Sequence, residues 1–126
     1  MLKTGITGEM NEIVNQANTA ATMKSGTLQV YATPAMIALM EQTAYTSVQD
    51  ELEEGQGTVG TRMEVSHISS TPLGMEVTAK SKLVSIDRRK LVFEVEAFDE
   101  RGKIGEGIHE RFIVDNKSFQ EKTDNK

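Results

Sequence analysis

The chain has no cysteine and no tryptophan, and only 5% of its 126 residues are aromatic. Without cysteine it can form no disulfide, no thiolate metal site and no thiol nucleophile. Its two histidines, His67 and His109, lie far apart in the sequence, which disfavours a zinc cluster. Any active site is therefore expected to rest on oxygen groups and imidazole, with no metal and no cofactor.

The sequence also lacks a surplus of positive charge and any long apolar run. Fourteen basic and nineteen acidic side chains give a net charge of −5, so a nucleic-acid backbone would be repelled. No apolar stretch approaches the roughly 18 residues of a membrane span, and the N-terminus has no signal-peptide core. We therefore expect a cytoplasmic protein that binds neither nucleic acid nor membrane.

The length of 126 residues suits one domain, expected to cover residues 1–115 and to be followed by a frayed polar tail at 116–126. A hydrophobic content of 37% gives a single copy only a thin core. Oligomerisation, at least to a homodimer, is therefore expected.

One long helix and a set of alternating strands account for most of the chain. Thr33 and Pro34 mark a helix start at Pro34, because Thr can cap free N–H groups and Pro needs no donor in the first turn. This helix is expected to continue to about Glu54. Strands are predicted at Gly8–Val14, Val59–His67, Met75–Ile86, Leu91–Phe98 and Lys103–Val114. The pattern predicts an α+β fold in which an antiparallel sheet covers the helix.

Glu41 interrupts the apolar face of the helix. At about 100° per residue, the stripe that contains Glu41 is otherwise apolar: Ile37, Met40, Ala44, Val48 and Leu52. A carboxylate removed from water is costly unless it is paired or hydrogen-bonded. Glu41 either reaches solvent or a structural arginine, or it belongs to a functional site.

His67 and Thr33 are the other two candidates for that site. His67 ends a strand whose alternation aims its ring toward the helix, although a single inward histidine is often a packing residue. Thr33 can be a helix cap, and the helix start also offers donors to an anion. Eight residues of helix separate Thr33 from Glu41 by about 12 Å. A shared reaction would therefore need a long substrate or a site built from two chains.

Several short runs together resemble the hotdog-fold thioesterases of the fluoroacetyl-CoA thioesterase type. They are Ala32–Met36, Met40-Glu41, Gly57-Thr58, Val65–His67, Thr71–Gly74, Phe93, Asp99 and Gly107–Phe112. A Thr, a Glu eight residues later and a His thirty-four residues after the Thr form the catalytic set of that family. In this chain these offsets fall on Thr33, Glu41 and His67.

The resemblance implies a hotdog fold, paired protomers with active sites near their interface, and hydrolysis of an acyl-CoA to an acid and CoA. It also implies that Gly60 lines the acyl end of the site, although a glycine in mid-strand can equally be a bulge or packing residue. In the fluoroacetyl-specific enzyme a Phe before the helix helps to gate the acyl pocket. Here that segment offers only Leu28 and Tyr31, so a different short acyl group is expected.

The phosphates of CoA require local positive charge, for which Arg62 and Arg88 are candidates, although the turn that contains Arg88 is more typical of a solvated hairpin tip. His109 and Arg111 share a strand face opposite Ile108 and Phe112, and we expect them on the outer sheet surface or at an oligomer contact. Three other functions stay open: an acyl-CoA-binding module without catalysis, a dehydratase or hydratase on the same fold, and a purely structural dimer.

Overall fold

The computed structural model describes all 126 residues and contains a five-stranded sheet and three helices. In chain order the elements are β1 (Thr7–Ile13), α1 (Ala20–Met23), α2 (Thr33–Gln49), β2 (Gln56–His67), β3 (Glu76–Asp87), β4 (Lys90–Asp99), β5 (Gly102–Asp115) and α3 (Asn116–Asp124). The α+β prediction is confirmed. The bounds predicted for the strands other than β2 are each within one residue of the observed bounds.

The sheet is antiparallel, has the strand order β1-β3-β4-β5-β2, and packs one face against α2. Apolar side chains from both layers form one buried cluster. From the sheet it contains Val77, Ala79, Leu83, Leu91, Phe93, Val95 and Ala97, and from α2 it contains Ala35, Met36, Leu39, Met40, Ala44 and Val48. The apolar stripe predicted for the helix is therefore largely the surface that meets the sheet.

Helix α2 starts at Thr33, one residue before the predicted start, and ends at Gln49 rather than near Glu54. Ala32 occupies the cap position and makes no side-chain cap bond, so Thr33 is not the cap. Residues 50–54 are acidic except for one Leu. Negative charge opposes the dipole at a helix C-terminus, which accounts for the early end.

A bulge in β2 reverses part of the predicted alternation. The register with β5 shifts between Gly60 and Arg62. After the shift, His67 faces the helix as predicted. Before it, Val59 pairs with Phe112, whose side chain is exposed, and Gly60 takes the inward position. An extra residue in a strand turns the next side chains to the other face, which alternation alone does not reveal.

Strands β1 and β2 form the two edges of the sheet. β2 is twelve residues long and pairs only with β5. Its other side therefore presents unpaired backbone N–H and C=O groups, which are able to pair with another strand.

The C-terminal segment is polar, as expected, but it forms the helix α3 instead of a frayed tail. Asp115 caps it by accepting a hydrogen bond from the backbone N–H of Ser118, and none of its residues is buried. None of the three helices has the length and apolar character that crossing a bilayer requires.

Candidate active site

Thr33 and His67 are in direct contact. The first turn of α2 carries Thr33, and the last residue of β2 is His67; Thr33 Oγ1 lies 2.7 Å from His67 Nδ1. The fold thus brings together two residues separated by thirty-four positions in the sequence. We call these two residues the hydroxyl–imidazole pair.

The other ring nitrogen of His67, Nε2, is buried and has no hydrogen-bond partner. A buried polar atom without a partner is rare in native proteins and costs about 1–3 kcal/mol. Burial lowers the pKa of His67 below 6.5, and the nearby backbone of Ser69 opposes this effect less strongly. The ring is therefore neutral at pH 7 and can accept a proton.

Glu41 lies in a different group of residues. Its Oε2 is 3.4 Å from Arg111 Nη1, and its side chain is 42% exposed in the single chain. A methyl group at Gly60 would approach the same oxygen to 2.7 Å, so glycine there lets the carboxylate rest against the strand. We call Glu41, Gly60, His109 and Arg111 the carboxylate pocket.

The two groups do not meet within one chain. Glu41 is about 12 Å along α2 from Thr33, by the rise of 1.5 Å per residue. Gly60 and His67 lie at opposite ends of one stretch of β2, separated by up to about 23 Å at 3.3 Å per residue. The imidazole beside Glu41 in the same chain is that of His109, whose Cε1 also borders Gly60.

The predicted outer position of His109 and Arg111 is wrong. Both are buried, with 1% and 6% exposure, and both face the helix side of the sheet. Their face of β5 bears no large apolar side chain between Gly105 and Arg111, whereas the opposite face carries Ile108 and Phe112. Hydrophobicity therefore suggested the wrong face.

Arg111 is held by protein acceptors on three sides. Its Nε donates to Thr58 Oγ1 at 2.7 Å, its Nη2 to the Thr58 carbonyl at 2.9 Å, and its Nη1 to His109 Nε2 at 3.1 Å. The guanidinium also lies over the ring of Tyr45, 5.4 Å from its centre. Burial lowers the pKa of Arg111 and the charge of Glu41 opposes this, but guanidinium stays protonated. Glu41 thus has a fixed positive neighbour.

Comparison with known proteins identifies the family. Residues 14–117 match the model of the family described as fluoroacetyl-CoA-specific thioesterase. The chain belongs to this family. A fluoroacetyl-CoA thioesterase from Streptantibioticus cattleyicolor is 37% identical over 94 residues, which are 75% of this chain and 68% of the relative.

Solved structures of the family superpose on almost the whole chain. A structure of the fluoroacetyl-CoA thioesterase FlK has a TM-score of 0.95 and 30% identity, and the match covers 100% of this chain and 98% of FlK. A threonine-to-serine mutant of FlK in complex with acetyl-CoA has a TM-score of 0.93, 28% identity and 98% coverage of both chains. A hot-dog-like protein from Thermanaerovibrio acidaminovorans shares the fold at 24% identity and a TM-score of 0.86, over 95% of this chain and 89% of that one. The predicted hotdog fold, family and thioester hydrolase class are confirmed.

The two candidates for CoA phosphate contacts lie away from the hydroxyl–imidazole pair. Arg62 follows the bulge of β2, is exposed, and pairs with Glu64 at 2.6 Å. Arg88 lies in the turn between β3 and β4 with φ 58°, and its side chain is 91% exposed. Neither side chain forms a hydrogen bond or an ion pair with Thr33, His67 or Glu41.

The segment before α2 differs from the gate that the family resemblance implies. Tyr31 is buried, and its hydroxyl donates to a carboxylate oxygen of Glu12. Burial and this neighbour raise the pKa of Tyr31. Leu28 is 66% exposed.

Proposed function

We propose that the protein hydrolyses a short-chain acyl-CoA to the free acid and CoA, with Thr33, Glu41 and His67 as the catalytic residues. The observation that carries this proposal is the contact of 2.7 Å between Thr33 and a half-buried His67, whose pKa is lowered by burial. Membership of a thioesterase family supplies the reaction class.

The chemistry matches what these groups can do. A thiol leaving group has a pKa near about 8.5 and needs little help from an acid, so attack on the carbonyl is the difficult step. His67 and Glu41 activate the attacking group, which is either water or the Thr33 hydroxyl. In the first turn of α2 the backbone N–H groups of Thr33 and Ala35 have no backbone acceptor, whereas Met36 donates to the Ala32 carbonyl. The two free groups can hold the developing oxyanion.

The separation of the two groups supports a site shared between two chains. β2 has a free edge, and it carries both Gly60 and His67. A two-fold antiparallel pairing of β2 with β2 of a second copy, centred between Met63 and Glu64, would set Gly60 of one copy opposite His67 of the other. The carboxylate pocket of one subunit would then meet the hydroxyl–imidazole pair of its partner. The exposed part of Glu41 would become covered.

The acyl group is proposed to be short and not specifically fluorinated. No phenylalanine precedes Phe93 to gate the pocket. The acetyl-CoA bound to a mutant of FlK shows that a structurally similar chain accommodates a two-carbon acyl thioester.

A panel of acyl-CoA thioesters tests the function. We expect the purified full chain to release thiol from acetyl-, propionyl- or butyryl-CoA, without the strong preference for fluoroacetyl-CoA that an aromatic gate would provide. Thiol release is followed with a chromogenic disulfide. Binding without release would favour a non-catalytic acyl-CoA-binding module. Hydration of crotonyl-CoA without release would favour a hydratase.

A further inference from the structure

His109 is a buried imidazole that the proposed reaction does not use. Its ring is 1% exposed and lies next to Phe93, with ring centres 6.2 Å apart. Nδ1 is 2.8 Å from the carbonyl oxygen of Arg62, and Nε2 is 3.1 Å from Arg111 Nη1. A carbonyl can only accept and a guanidinium can only donate. The ring is therefore the neutral tautomer with its proton on Nδ1.

The hydrogen bond between Arg111 and His109 helps to orient the Arg111 guanidinium, which is the group that pairs with Glu41. Two donors of the guanidinium are fixed by Thr58, and Nη1 is shared between His109 Nε2 and Glu41 Oε2. The contact with His109 is the shorter, at 3.1 Å against 3.4 Å. Without an acceptor at His109, Nη1 would lose one of the two acceptors between which it is held.

The hydrogen bond from His109 Nδ1 to the Arg62 carbonyl fixes the part of β2 that borders the carboxylate pocket. Arg62 is the first residue after the bulge that turns Gly60 toward the helix. Gly60 borders both the Glu41 carboxylate and the His109 ring. The neutral imidazole of His109 is thus hydrogen-bonded both to Arg111, the positive partner of Glu41, and to the β2 backbone beside Glu41.

From this geometry we propose that His109 is a positioning residue, which orients Glu41 for catalysis through Arg111 and the Gly60 bulge. The inference rests on the proposed function. Burial and the adjacent Arg111 lower the pKa of His109, while the Arg62 carbonyl, Glu41 and Glu110 raise it. The net lowering keeps Nε2 free to accept from Arg111.

Two substitutions separate positioning from simple packing. His109→Phe keeps an aromatic ring against Phe93 but removes both hydrogen bonds, and we expect kcat to fall by about 10- to 100-fold through misplacement of Glu41. KM should change less than about threefold, since uniform binding of the substrate is retained. His109→Gln can donate to a carbonyl and accept from Arg111, so it should recover most of the lost kcat.

The decisive measurement is a double-mutant cycle with Glu41→Gln in the full chain, using the short acyl-CoA that turns over fastest. If His109 acts through Glu41, His109→Phe should lower kcat little further once Glu41 is replaced. Equal effects in both backgrounds, or wild-type kcat in His109→Phe, would overturn the positioning role while leaving the thioesterase function intact. Absence of turnover in the wild-type chain would overturn both. Melting temperature and subunit size, measured for every variant, normalise kcat to folded protein.

Discussion

Replacing Glu41 with Gln is expected to lower kcat by about 10²- to 10⁴-fold, the usual range for loss of an acid–base group. Gln has nearly the same shape as Glu and its carbonyl oxygen can still accept from Arg111 Nη1. Arg111 also keeps its bonds to Thr58 and His109. The fold should therefore survive while the charge that activates the attacking group is lost. Initial rates of thiol release at saturating acyl-CoA provide the measurement.

The control for this change is Glu54→Gln, which removes an equal charge from an exposed turn just beyond α2. It should leave both kcat and KM unchanged. If Glu41→Gln kept kcat within about threefold of the wild type, its carboxylate would not be an acid–base group, and Glu41 would be only the partner of a buried arginine.

Replacing His67 with Ala is expected to lower kcat by roughly 10²-fold or more, because both the contact with Thr33 and the proton acceptor are lost. The matched control is Ser66→Ala on the same strand, whose exposed side chain points away from the helix. Wild-type turnover in His67→Ala would remove this residue from the mechanism.

The pH dependence of kcat/KM tests the role of His67 independently. Burial lowers the pKa of His67, so kcat/KM of the wild type should decline only when the pH falls below 6.5, and His67→Ala should lack this limb. A lowered pKa in the folded state also means that the unfolded chain binds the proton more readily. The folded state therefore loses stability as the pH falls through 6.5, and unfolding must be monitored at each pH.

Most of the fold could be predicted from local patterns. Alternation and hairpin-length loops place the four strands other than β2 within one residue, since each has buried and exposed residues in a regular order. Thr33-Pro34 marks the start of α2 to one residue, because proline tolerates only the first turn. The end of α2 is less predictable, because Gly55 is a typical stop signal but the helix already ends at Gln49, before the acidic run at 50–54.

The candidate site was harder to predict because its partners lie on different elements. The contact between Thr33 and His67 follows from the family offsets, whereas the pairing of Glu41 with Arg111 joins residues seventy positions apart. The glycines at positions 105 and 107 are the signal that was missed. A methyl group at Gly105 would lie 2.6 Å from Met36 Sδ, so glycine there marks the face that touches the helix.

Under the proposed function, the chain carries two incomplete halves of one site. The hydroxyl–imidazole pair is assembled within the chain, and the carboxylate pocket is assembled elsewhere in the same chain, about 12 Å along α2. An edge strand connects them and is free to pair with a second copy. We propose that a complete site needs Thr33 and His67 from one subunit and Glu41 from the other.

Mixing the two inactive variants tests this claim most directly. Glu41→Gln and His67→Ala chains, co-refolded in equal amounts, should form mixed dimers in about half of the cases, each with one complete site of two. Thiol release should then recover to about a quarter of the wild-type rate, although each variant alone is nearly inactive. If the mixture, shown to contain mixed dimers, stays as inactive as its components, the catalytic residues belong to one chain and the shared site is contradicted.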